Sequence, residues 1–137
     1  MRLNQNELYL LFADVSLVND IGTCKKILSD HLKKLGYKTY PGYKLRESGE
    51  RIDIVASKPD HNMAIIIGRK YPRRKKIELL MSLKTADNAV FLTREGNKPF
   101  EQIKTITVID VNMKEELHSR SNSYTNYKQE TDIYGED

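Results

Sequence analysis

At 137 residues, 39% of them apolar and 31% charged, the chain has the size and balance of one globular domain. No apolar run approaches the roughly 18–20 residues of a membrane-spanning helix, and a lone cysteine, Cys24, excludes an internal disulfide or a cysteine-based zinc site. A net charge of +4 permits an anionic partner without demanding one, so the placement of charge matters more than its sum. The chain opens without a charged-then-apolar signal pattern, and the expectation is a soluble, cytoplasmic protein with no membrane partner.

Residues 4–18 set Leu8, Leu11, Phe12 and Val15 at helical spacing and predict an N-terminal helix. Asn19 and Asp20 offer a break and an N-cap. Ile21, Cys24, Leu28, Leu32 and Leu35 then form one stripe with Ile27 beside it, while Lys25, Lys26, Lys33 and Lys34 lie off it. Gly36 follows as a helix-ending glycine. Cys24 reads as a small buried hydrophobe. Residues 37–45 hold β-formers around Pro41 and Gly42, a strand with a turn or bulge. Residues 46–50 are a turn, 51–57 a strand of β-branched residues, 58–62 a tight connection and 63–70 the next strand. The short connection predicts an antiparallel hairpin.

Pro72 suits the first turn of a helix in which Ile77, Leu80, Met81 and Lys84 share a face, with Leu83 near it, closed by Asp87 and Asn88. Residues 89–95 predict a short buried strand, 96–103 (GNKPFEQI) a loop and 105–111 a final strand. The order α-α-β-β-β-α-β-β describes an α/β fold, a mixed central sheet covered on its two faces by helices. Residues 1–111 then make one domain, with an N-terminal helix over 1–19 and a core over 20–111. Residues 112–137 are polar. They predict a short helix over 114–120 and then a tail that is mobile or ordered by a partner.

Two features bear on chemistry. On the strand 51–57, strict alternation sends Ile52 and Ile54 one way and Asp53 and Val55 the other. A carboxylate inside an apolar strand is costly without a partner. A backbone amide or Arg51 would hold Asp53 as an anchor; otherwise it is a metal ligand at the mouth of a site. The second feature is a run of charge, since six of the eight residues from Arg69 to Lys76 are Arg or Lys. Arg73, Arg74, Lys75 and Lys76 fall in the first turn of a predicted helix, where cations oppose the macrodipole at about 0.3–1 kcal/mol each. The run is either a solvated face or a phosphate cradle at a helix N-terminus.

The remaining candidates are weaker. His31 is expected at the surface, His61 in a turn and His118 near the tail, with no metal-ligand spacing among them. Tyr37, Tyr40 and Tyr43 suit sheet packing better than base stacking.

The order of elements, together with Asp53 and the stretches LKKLGYKTYPGYKL and RIDIVASKPDHNMAIIIGRK, resembles the restriction-endonuclease-like PD-(D/E)xK superfamily, in particular its small archaeal resolvase-like and Mrr-like members. The likeness spans roughly residues 20–111. It implies a core in which an Asp and a Glu hold a divalent ion and a Lys supports the attacking water in phosphodiester hydrolysis. The Asp falls on Asp53. Ile66 stands thirteen residues on, in the glutamate's place, and Gly68 in the lysine's. The family's acidic residue on the first core helix is met by Lys25 and Lys26.

The resemblance thus implies a nuclease-like domain with a degenerate catalytic motif. It would bind nucleic acid, DNA first, through Arg69, Lys70, Arg73, Arg74, Lys75 and Lys76, extended by Lys25 and Lys26, with no cofactor. The rival is an active Mg- or Mn-dependent endonuclease with a migrated site of Asp53, Glu47, Glu50 and Lys70, and Asp53 as metal ligand. A third reading is an assembly subunit that binds another chain through a sheet edge and the polar tail. A two-fold homodimer is also implied by the resemblance.

Overall fold

The computed structural model describes residues 1–18, 20–94 and 100–112. The predicted helix over 114–120, the tail and His118 lie outside them. Helix α1 spans Gln5–Phe12 and starts on a reciprocal cap. The Asn4 side chain accepts the Glu7 amide at 2.9 Å, and Glu7 accepts the Asn4 amide at 2.8 Å. This helix is shorter than its apolar spacing predicts. Val15 and Leu17 are buried beyond its end, where the Asn112 side chain accepts the Leu17 amide at 3.0 Å and donates to the Leu17 carbonyl at 3.2 Å. A distant amide side chain thus replaces the helical hydrogen bonds of that stretch.

Helix α2, Ile21–Lys34, begins at an Asp20 cap and is followed by Gly36 at φ +95°. The middle of the predicted stripe, Cys24, Leu28 and Leu32, is buried, whereas its two ends, Ile21 and Leu35, are exposed at the helix termini. The Cys24 thiol meets the Val18 carbonyl at 3.0 Å. Strands β1 (Lys38–Lys44), β2 (Arg51–Lys58) and β3 (His61–Ile67) pair antiparallel in sequence. Helix α3 (Arg74–Met81) crosses over to β4 (Asn88–Thr93), which lies parallel to β3. Strand β6 (Ile106–Asp110) is parallel to β4 and carries β5 (Phe100–Ile103) antiparallel on its outer edge.

The sheet order is β1-β2-β3-β4-β6-β5. The fold is the expected α/β class with a mixed sheet flanked by helices, but the element order gains a strand. Residues 100–103, expected as loop, pair with β6 through a turn in which Lys104 takes φ +55°. Four residues after a proline carry no periodic signal; their pairing partner makes them a strand.

Side chains alternate across this sheet into two cores. Met63, Ile65, Ile67, Val90 and Leu92 meet α1 and α2 on one face. Ala64, Ile66, Phe91, Ile106 and Val108 meet Leu80 of α3 on the other. Leu8, Tyr9 and Phe12 of α1 are almost wholly buried in the first cluster, so the N-terminal helix is part of the core and not an addition to it.

His61 is not in a turn. It opens β3, buried, with its ring between Tyr37 and Asn88. Asn88 accepts the Leu3 amide through Oδ1 and donates to the Leu3 carbonyl through Nδ2, which fixes the orientation of its amide. His61 Nε2 therefore donates to Asn88 Oδ1 at 2.8 Å, and the Tyr37 hydroxyl donates to Nδ1 at 2.7 Å. This network ties the N-terminal segment to the sheet. His31 is half-buried and donates to the Leu11 carbonyl at 2.7 Å.

Two carboxyls titrate below the ordinary value of 3.8. The Thr23 hydroxyl, then the Thr23 amide, lower Asp20; the Asn62 amide, then the N-terminal ammonium, lower Asp87. Each therefore contributes stability that is fully present above the unfolded pKa and is lost as pH falls through the lower folded value. The urea midpoint is expected to stay level from about pH 7 to about pH 5 and to drop below about pH 4. Asp20→Asn, which keeps a cap but cannot titrate, should flatten part of that drop. Among the described residues no helix is long and apolar enough to cross a membrane.

Candidate functional site

The parallel strands β3 and β4 end together, and the chain beyond Ile67 folds over their C-terminal ends. The Gly68 amide donates to the Leu92 carbonyl at 2.9 Å, and the Arg94 amide to the Arg69 carbonyl at 3.2 Å. Residues 68–73 then turn into α3. Beneath them lies a cavity of about 430 Å³. Arg69, Lys70, Arg73 and Lys76 line it together with the apolar Ile66 and Phe91, and among the described residues no acidic side chain does. Four cations around one concavity focus a positive potential there.

The space of this cavity depends on Gly68. A Cβ built there would stand 2.3 Å from Phe91 Cζ and 2.7 Å from Cε1. The Phe91 ring, nearly fully buried, fills the volume into which a side chain at 68 would project.

The predicted basic run is divided by the fold. Arg73 is the N-cap of α3, without a side-chain capping bond, and Pro72 precedes it, where the sequence suggested the first turn. Arg74 turns along its own helix to Glu78, Nε to Oε2 at 3.0 Å. Lys75 is exposed and does not line the cavity. Lys26 pairs with Asp30 at 3.4 Å and Lys25 with Asp53 at 3.8 Å; neither lines the cavity.

Asp53 departs from the alternation assumed for its strand. Ile52 packs in the α3-side core and Ile54 in the α2-side core, although they are two residues apart. The pairing of β2 with β3 stops at Ile54, and Gly42 on the β1 side takes φ +64°. At this break the Asp53 carboxylate meets α2: Oδ2 accepts the Ile67 amide at 2.8 Å and Oδ1 faces Lys25. Arg51 plays no part in this, since it donates to the Gly42 carbonyl at 2.8 Å.

Among the described residues, those around Asp53 do not make up the ligand set of a divalent ion. A hard cation takes about six oxygens. One Asp53 oxygen accepts the Ile67 amide and the other faces Lys25 at 3.8 Å, and Ile66 brings none. Glu47 and Glu50 are exposed in the turn between β1 and β2. Among the described residues no three His, Cys, Asp or Glu side chains stand together, so Asp53, Glu47 and Glu50 are not gathered. Lys70 lies past the end of β3, where strand parity no longer directs it.

Arg94 is a residue whose role the sequence does not announce. A charge at the end of an apolar strand suggests solvent, yet Arg94 is 9% exposed. Its guanidinium donates to the Val18 carbonyl at 2.7 Å and to the Gly68 carbonyl at 3.4 Å, fastening the cavity's loop to the segment that follows α1. Its position just after an apolar strand is the one available signal.

A second hollow, about 330 Å³, lies on the α3 side and includes Tyr40, Tyr43, Leu45, Val55 and Leu83. It shares no lining residue with the basic cavity. Tyr40 and Tyr43 meet edge to face at 6.4 Å, whereas Tyr37 is buried on the opposite face. No family model, curated protein or solved structure matches the chain.

Proposed function

We propose that the protein binds nucleic acid, DNA in the first instance, on a nuclease-like domain of the PD-(D/E)xK kind that holds but does not cut. One observation carries the reading: Arg69, Lys70, Arg73 and Lys76 converge on a concavity that no described acidic residue lines. Phosphate oxygens are the common biological anions that such a cluster suits. The loss of cutting is supported by the state of the residues a metal would need. Asp53 is committed to an amide and an ammonium, and Ile66 and Gly68 are committed to packing with Phe91.

A gel-shift series across salt, with and without Mg or Mn, tests the proposal. Binding should weaken steeply as salt rises, and no nicking should appear with either metal. Absence of any shift at low salt sinks the binding reading; metal-dependent nicking sinks the non-catalytic part. Asp53→Ala separates the two roles of that residue. As an anchor, its loss strands the Ile67 amide and Lys25 and costs about 1–2 kcal/mol of stability in urea unfolding, while affinity for nucleic acid holds or rises. Abolished activity at unchanged stability would make it catalytic. The hollow at Tyr40 and Tyr43, both 46% exposed on edge strand β1, favours the third reading, a protein-binding subunit. That reading gains if no nucleic acid binds.

A further inference from the structure

We infer that the basic cavity takes one unpaired nucleotide, so that the protein prefers single strands and strand ends to intact duplex; the inference rests on the nucleic-acid reading above. The shape argues first. About 430 Å³ falls in the range of pockets that enclose a small molecule, about 300–1,000 Å³. A duplex turns phosphates outward on a convex surface and keeps its bases stacked inside. A nucleotide that seats itself in a concavity of this volume leaves the stack, which is easiest where it has no pairing partner.

The lining argues second. Backbone contacts to a duplex need cations alone. Here the cations share the cavity with Tyr71 and Pro72, both half-buried. A flat apolar base joined to a charged phosphate matches this division, and base–aromatic contact tolerates any sequence.

Rigidity argues third. The loop over the cavity is tied at Gly68 and Arg69 to β4 and its end by two backbone bonds and by the Arg94 side chain. A concavity held open in this way needs little ordering when it binds.

The test is fluorescence anisotropy on the full chain with a labelled, non-pairing single strand of about 12 nucleotides, a typical single-strand site size. The comparison is a hairpin with the same number of nucleotides, its loop and its open end each closed by a non-nucleotide linker, so that it offers neither an unpaired base nor a strand end. The single strand should bind at least about tenfold tighter, the worth of roughly one stacked base. A nucleoside monophosphate should displace it well below the concentration of inorganic phosphate that does so. Tyr71→Ala should reduce single-strand affinity and leave hairpin affinity alone; should that variant fold poorly, the two competitors still decide with the unaltered chain. Equal binding of hairpin and single strand, or equal displacement by phosphate, overturns the inference and leaves nucleic-acid binding standing. No binding of either probe at low salt overturns both.

Discussion

Gly68→Ala is expected to lower the unfolding free energy by about 1–3 kcal/mol, the usual cost of forcing atoms into a packed core. The added Cβ would stand 2.3 Å from Phe91 Cζ, well inside contact distance. The ring has little room to yield, because it is nearly buried in the α3-side core with Ile66, Leu80 and Val108. Phe91→Ala alone should cost about 3–5 kcal/mol through the cavity it leaves. Placed on that background, Gly68→Ala should cost much less than it does alone, which a double-mutant cycle by urea unfolding would read as coupling. A neutral Gly68→Ala would show that the ring is not held there. Ile66→Glu should be harsher still, since it buries a carboxylate among apolar side chains at a site 2% exposed. Rewriting positions 66 and 68 as Glu and Lys should therefore give an unstable protein and no metal-dependent nicking. The packing at both positions thus opposes the introduction of charge.

The paired substitution Arg73→Ala/Lys76→Ala should remove two of the four cations around the basic cavity. Each phosphate that is no longer neutralised reduces the slope of log affinity against log salt by about 0.7 on a single strand or about 0.9 on duplex. The double variant should thus flatten the slope by roughly 1.4–1.8 and weaken binding about 10- to 100-fold at low salt. Arg74→Ala and Lys26→Ala should change either quantity little. Their charges already face Glu78 and Asp30, and neither residue lines the cavity. A diffuse basic surface would respond about equally to both pairs, so equal losses would refute the division of the basic run proposed from the cavity.

Much of the frame is written locally in the chain. The cap at Asp20, the stripe from Cys24 to Leu32 and the hairpin of β2 and β3 follow from spacing and turn chemistry within a few residues. The uncharged residues at 66 and 68 are equally plain from sequence. What the apolar pattern does not carry is the partner of each polar group. Asp53 finds its hydrogen bond at Ile67 and its counter-charge at Lys25 only because β2 breaks its alternation there.

The helices, the hairpin and the mixed α/β class were thus legible before folding, because periodicity and turn preference act over one or two turns of chain. Three outcomes needed the folded arrangement. Residues 100–103 become a strand, Arg94 is buried against a carbonyl 76 residues away, and four particular basic side chains meet around one cavity. The Arg94 contact joins segments far apart in sequence. Residues 100–103 pair with a strand that itself lies beside β4, and the turn of the chain past the ends of β3 and β4 sorts which neighbours in the basic run share a cavity, so a charge is defined by what stands beside it after folding.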